Sequence, residues 1–452
     1  MDHNATHKAE LGDDLISSRN DDHSKLEKSA SVQPERNGLI GFSKKLFSTL
    51  IPHGGTLSNS FNFASATLGG SIVTLPWAFH AVGIVMGTIY LVFMALMTIY
   101  TITIMGFVMK KTNLNGFEQM SLGLLGRGAA YVMSGAMALS CVGAAIAYVI
   151  AVRSLLTPML LRSSEDQDFL HSTVGIQFVT FLVWLLGMLP LVVPKEINSL
   201  RYFSAVGVSF VVYFAVVILV HAALAGLPKR SEVVMVQKGN IAIEGFGVFI
   251  FAYFCHCVAY PVYYEMNVPM VRRLCVDATV SMLFCSVLYW FVGVFAYFEF
   301  GQEIKDSVLL MYDPVKEPMI LVGYIGLITK LCASYGLNMV PFRNTVYFLL
   351  KWDIQKLSYT KHISMVTLMS VAVLLCGLYV PKISTVFNFV GSVCGGLIGF
   401  IYPALFYMYS GNWSLSTVGC FCYIMTYCTL IIGVASVVFG TCATVYSVVV
   451  GV

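Results

Sequence analysis

Residues Asn62–Ala78 read NFASATLGGSIVTLPWA, an apolar run of membrane-spanning character with a glycine pair, Gly69-Gly70, near its middle and Pro76 within two turns of it. In hydrocarbon every backbone N–H and C=O must be satisfied inside the protein. An interrupted helix therefore survives only where it faces protein or a water-filled cavity. Amides freed at such a break can hold the carboxylate of a small solute, and freed carbonyls can hold a cation. The stretch predicts an α-helical protein that crosses the membrane many times and carries a solute site at mid-depth.

Composition agrees. Of 452 residues, 58% are hydrophobic and 11% charged, whereas a soluble domain carries about 25% charged residues. Apolar runs of spanning length recur from residue 57 to the C-terminus. Because they are continuous rather than alternating, they exclude a transmembrane β-barrel. Eleven spans are expected, at about 57–78, 82–109, 129–157, 174–193, 202–225, 245–264, 276–299, 318–341, 363–380, 384–409 and 416–441. Residues 1–50 read as a hydrophilic, disordered tail with no signal-peptide core, either regulatory or simply solvated. Lys and Arg are richer in the connections on the side of that tail, which places the N-terminus in the cytosol. The cysteines lie at or within the spans, so no disulfide framework is expected. Side chains in Cys255-His256-Cys257 and Cys420-Phe421-Cys422 diverge on a regular helix, so they read as packing residues and no metal is expected.

Two further spans depart from uniform apolarity. The sixth, Glu244–Glu265 (EGFGVFIFAYFCHCVAYPVYYE), carries Gly245, Gly247 and Pro261 as helix perturbers and His256 deep inside. It stands five spans after the first broken one, the spacing expected of two inverted five-helix repeats that each open with a discontinuous helix. Residues 55–225 would form the first repeat, 244–409 the second, and 416–452 an extra helix with a short C-terminus. Read as packing alone, the same glycines mark close helix contacts and the prolines simple kinks. The eighth span, GYIGLITKLCASYGLNMVPFR, holds Lys330 far from either end, with Ser334 one turn later on the same face. An ionisable group so deep is a functional candidate, or else a lysine bonded to carbonyls of the broken first span. His256 reads equally as a proton relay and as a hydrogen-bonded packing residue. Tyr148 in the third span either caps a substrate or packs. Glu265 and Arg343 form either an inner gate or an ungated interfacial pair.

No Walker loop, HExxH, nucleophile elbow or paired intramembrane carboxylate is present, so catalysis is not expected. Neither an organic cofactor nor a nucleic-acid partner is expected.

These residues resemble the amino acid/auxin permease family. GGSIVTLPWA in the first span is similar to that family's glycine-serine motif running into L-P-x-A. FAYFCHCVAYPVYYEM in the sixth is similar to its F-A-F-x-C-H…P-I-Y-x-E block. Val340-Pro341-Phe342-Arg343-Asn344 is similar to its F-P-x-R-N, and ISTVFNFVGSVCGGLIGFIYPALFYM from Ile383 to its tenth-span pattern. The short loops and acidic-serine tail resemble the kinetoplastid branch. The resemblance implies eleven spans in a 5+5 inverted-repeat, leucine-transporter-like architecture plus one helix, in the plasma membrane or an acidic organelle. It implies uptake of L-amino acids across the lipid bilayer. The α-carboxylate would sit on amides near Gly69, Gly70 and Ser71, and the α-amino group on carbonyls around Ala66, Thr67, Phe251 and Ala252, with Tyr148 and His256 nearby. In sodium-coupled animal members an Asn and a Thr stand where this chain has Ser65 and Ser334. Lys330 then reads as an ion surrogate. This suggests sodium-independent transport, either proton-coupled or facilitative, of neutral or cationic amino acids. An amino acid sensor of the same fold, signalling through its tail, stands as the alternative.

Overall fold

The computed structural model describes residues 55–114, 116–161, 169–194, 200–237, 240–354 and 356–450. The tail expected over residues 1–50 lies outside them. The described chain is almost wholly helical, as burial of backbone in hydrocarbon demands. Its helices are α1 (Thr56–Thr67), α2 (Leu75–Val82), α3 (Ile84–Thr112), α4 (Arg127–Leu161), α5 (Thr173–Val192), α6 (Leu200–Leu224), α7 (Asn240–Ala252), α8 (Ala259–Glu265), α9 (Val271–Phe300), α10 (Pro318–Leu349), α11 (Tyr359–Tyr379), α12 (Ile383–Tyr409) and α13 (Cys420–Val450). Counting α7 with α8 as one segment, ten helices among the described residues are long and apolar enough to cross a membrane. The protein is thus an all-α polytopic membrane protein. The opening segment does not join the ten because it is split into pieces of 12, 4 and 8 residues.

The outer helices present apolar stripes outward. On α3 Val85, Ile89, Val92 and Leu96 recur at helical spacing and are all exposed, a face that suits lipid and would be a liability in water. Inside, α3 packs on α9, α4 on α10, and α6 on α10, while α1 and α2 both lie against α9 and α2 against α7. Polar side chains pin the crossings. Trp184 Nε1 on α5 reaches Ser370 Oγ on α11 at 3.0 Å and the Tyr335 hydroxyl on α10 at 3.3 Å. Arg153 on α4 donates to the carbonyls of Leu378 and Val380 at the end of α11. Nearby, Asp306 accepts from the Ile383 N–H at 3.0 Å, capping α12. Burial pushes the Asp306 carboxyl up, and that bond together with Lys382 and Arg153 opposes the shift.

Two glycines are dictated by geometry. Gly83 turns α2 into α3 at φ 86°, and a Cβ there would stand 2.7 Å from the Met235 carbonyl oxygen. Gly247 lets α7 lie directly on α12, where a Cβ would stand 2.6 Å from the Asn388 carbonyl oxygen. Gly247 and Gly245 therefore act as contact residues inside a continuous helix. The interruption of this segment comes later, at Tyr253–Cys255, without help from glycine or proline. Pro261 sits in the first turn of α8, where no backbone N–H is needed. The helix perturbers expected in the sixth span thus have other jobs. After α3 a short helix runs through Phe117–Met120 and on in π geometry over Ser121–Leu125, with Phe117 buried edge-on to Tyr260 at 4.8 Å.

Candidate functional site

The first break begins where α1 meets the glycine pair. The Leu68 N–H still reaches Ala64 O at 2.7 Å, but the Gly69 N–H folds back to Thr67 O at 2.8 Å. The chain then makes one 3₁₀ turn, Gly70–Val73, and restarts as α2 with Pro76 in its first turn. The second break follows Ala252. The Tyr253 and Phe254 N–H groups close short bonds to Ile250 O and Phe251 O, and a 3₁₀ turn at His256–Val258 leads into α8. Each interruption leaves carbonyls of the incoming helix and amides of the following turn without a helical partner.

One side chain joins the two breaks. The Tyr289 hydroxyl on α9 lies 2.6 Å from Thr67 O, 3.1 Å from Ala252 O and 3.3 Å from Ser71 Oγ. With a single proton it donates to one carbonyl at a time and accepts from Ser71. Its ring is fully buried and meets Tyr253 edge-on at 5.7 Å, while the Tyr253 hydroxyl pairs with Ser286 at 2.6 Å.

Lys330 reaches the same region from α10. Its ammonium lies 3.3 Å from Ser65 O and 3.4 Å from Ser65 Oγ, and the residue is 3% exposed. Gly207 on α6 makes room for the stem, since a Cβ there would stand 3.2 Å from Lys330 Cβ and Cγ. Ser334, one turn on, is buried and its carbonyl accepts from Asn338 Nδ2 at 3.0 Å.

Aromatic rings wall the first break. A Cβ at Gly69 would stand 3.4 Å from the Tyr148 hydroxyl, and one at Gly70 would stand 3.4 Å from the Tyr148 ring and 3.3 Å from Phe387 Cζ. Phe387 in turn stacks on Phe251 with centroids 4.5 Å apart. Asn338 on α10 faces the Tyr148 hydroxyl. Ser65, Gly69, Phe251 and Asn338 are half-buried and Ala66 is exposed, whereas Thr67, Gly70, Ser71 and Ala252 are buried. Small residues and aromatic faces thus surround a polar junction of backbone ends.

His256 lies on the α3 side of the second break. Its Nε2 is hydrogen-bonded to Thr101 Oγ1 at 2.8 Å, and that hydroxyl also lies within reach of Met97 O and Thr98 O. Its Nδ1, buried toward Gly399, has no hydrogen-bond partner among the described residues. Arg343 is buried, and its Nη1 donates to Val192 O at 3.3 Å and Pro194 O at 2.9 Å, at the end of α5. Glu265 ends α8. No group of three or more His, Cys, Asp or Glu suited to a metal occurs among the described residues.

Sequence reasoning passed over Tyr289, Asn338 and Phe387, because one tyrosine in 24 or one phenylalanine in 31 carries no signal of its own. It also passed over two buried carboxylates on α9, Asp277 and Glu299. Those did carry a signal, as acids inside an apolar run. At one end of α9, Glu299 lies 2.6 Å from His221 Nδ1 and accepts from the Tyr312 hydroxyl at 3.2 Å, while His221 Nε2 lies 2.9 Å from Glu317.

The chain is similar to known proteins over most of its length. The sodium-coupled neutral amino acid symporter 2 of Danio rerio is 23% identical over 377 residues, covering 77% of this chain and 74% of that protein. Residues 52–446 match the family described as transmembrane amino acid transporter protein. That match takes in every broken span and every side chain at the junction, and the chain belongs to this family of amino acid transporters, which is not a family of enzymes.

Proposed function

We propose that this protein carries L-amino acids across a membrane by alternating access around the two broken segments, without sodium. The observation that carries this reading is the junction itself. Two interrupted helices end against one another through Tyr289, and an ammonium from Lys330 rests on the carbonyl of Ser65 beside them. In this reading the carboxylate goes to the amides of Gly70 and Ser71, since the Gly69 N–H is taken by Thr67 O, and the amino group to the carbonyls near Ala66, Phe251 and Ala252. Tyr148, Phe251 and Phe387 then bound the side chain. No acidic side chain stands among these residues, which favours neutral amino acids over cationic ones.

Helix pairing supports the inverted-repeat reading, with the opening segment counted as an eleventh span. The packing of α6 on α10 recurs five spans later as α12 on α4, and that of α1 and α2 on α9 recurs as α7 and α8 on α3. Repeats over 55–225 and 244–409, with α13 outside them, accommodate both. Short loops and the tail composition favour the kinetoplastid branch. Plasma membrane with a cytosolic N-terminus is the address we assign.

The test is flux through purified protein in liposomes, using one labelled neutral amino acid competed by each of the twenty, with the full chain and with residues 1–45 deleted. Saturable flux in both supports transport. Binding without flux indicates a sensor and overturns the proposal.

A further inference from the structure

Asp277 stands near the start of α9, 0% exposed, inside a bundle with no ligand role yet assigned to it. Its Oδ2 accepts from Asn59 Nδ2 on α1 at 2.9 Å, and its Oδ1 has no hydrogen-bond partner among the described residues. Its backbone carbonyl takes the Ser60 hydroxyl at 3.1 Å. Ser281 Oγ lies 2.7 Å from Ser60 O and 2.6 Å from Asp277 O. The half-helix preceding the first break is therefore clasped to α9 by a short polar seam centred on a carboxyl group.

A buried carboxylate with one bare oxygen is costly as an anion and comfortable as an acid. Few charges relieve it here. Arg273, one turn back on α9, acts on it through space, and the Thr56 hydroxyl on α1 faces it. Among the described residues α1 has no titratable side chain. Of the other helices packed on α9, α3 ends in exposed Lys110 and Lys111 and α8 ends in Glu265. His80 on α2 lies by Tyr297 and His221 on α6 by Glu299, both toward the far end of α9. From Asp277 to Glu299 that helix runs about 33 Å at 1.5 Å per residue.

We infer that Asp277 is a proton-binding site, loaded when α1 is docked on α9 and emptied when α1 swings away and water reaches the carboxyl. In the docked state Oδ1 holds the proton and Oδ2 keeps the Asn59 bond. On opening, the O–H bond breaks, the proton passes to water and the carboxylate is left solvated. The inference rests on the transporter reading and names the ion that reading leaves open. It ties proton release to the half-helix that must move for substrate to leave.

The experiment uses full-length protein in liposomes with a labelled neutral amino acid, measuring exchange at symmetrical pH and accumulation under an imposed pH gradient. A gradient of one pH unit supports up to about tenfold accumulation per proton. Asp277→Asn mimics the protonated form, so it is expected to exchange within about threefold of wild type, because the Asn59 contact survives, yet to lose gradient-driven accumulation. Accumulation by Asp277→Asn equal to wild type overturns the inference. If that variant does not assemble, Asn59→Ala decides. Removing the donor that favours the anion moves the pH midpoint of wild-type accumulation upward, and an unmoved midpoint overturns the inference. Wild-type exchange without any gradient-driven accumulation also overturns it while leaving transport standing. Absence of exchange in wild type overturns the transporter reading itself.

Discussion

The ammonium of Lys330 lies 3.3 Å from the carbonyl oxygen of Ser65 and 3.4 Å from its hydroxyl. Ser65 sits in the last turn of α1, where helical carbonyls lack partners and the dipole is negative. A cation is wanted at that point, and the chain supplies its own. A sodium ion added about 4 Å from the ammonium would meet a repulsion of about 4 kcal/mol at an effective dielectric constant of about 20. Lys330→Met removes the cation without opening a large cavity. Uptake per reconstituted molecule should fall by about 5- to 150-fold, the equivalent of about 1–3 kcal/mol. Thermal unfolding in detergent should be unchanged or later, because a buried charge has gone. Unimpaired uptake by this variant would contradict the role given to Lys330.

Tyr289→Phe tests the junction between the two breaks. The ring stays and only the hydroxyl that reaches Thr67 O and Ala252 O is lost. Thr67 O keeps the Gly69 N–H, so the main loss falls at Ala252. The expected cost is about 1–3 kcal/mol in kcat/KM with assembly intact, read from initial uptake rates over a range of substrate concentrations.

Thr101→Val leaves His256, 2% exposed, with neither nitrogen bonded among the described residues. A buried donor without a partner costs about 1–3 kcal/mol, so the unfolding midpoint should drop, and Thr101→Ser should restore it. Equal midpoints for the two variants would place His256 in water rather than in the packing described.

Gly247→Ala drives a methyl group to 2.6 Å from the Asn388 carbonyl oxygen, a backbone atom that cannot rotate aside. Overpacking of this kind costs about 1–3 kcal/mol. Gly128→Ala, with nothing within 4 Å of the new carbon, is the matched control and should be neutral or slightly stabilising. Thermal unfolding of the two variants side by side decides the point.

The helices and the first break were legible because hydrocarbon imposes long apolar runs and penalises any interruption. Gly69-Gly70 announced itself on those grounds, and the chain leaves its helix there. The second break was legible only as a region. The glycines that suggested it, Gly245 and Gly247, turn out to serve close packing, and the interruption at Tyr253–Cys255 is set by tertiary partners: Tyr289, Ser286 and Thr101. Such a break leaves no local mark in sequence. Lys330 stood out by its charge alone, and the bond to Ser65 was within reach of that reasoning. Tyr289 was not, since its role depends on three backbone ends brought together from residues 67, 71 and 252. Arg343 stood out by charge in the same way, but its bonds to the carbonyls of Val192 and Pro194 depend on where α5 ends in the fold.

The most direct test of sodium-independent amino acid transport is initial uptake of a labelled neutral amino acid into liposomes, with external sodium replaced in full by choline at constant pH and membrane potential. Equal rates in the two media are the predicted result, because Lys330 already holds the position beside Ser65. Uptake that collapses in choline would contradict the account at its centre.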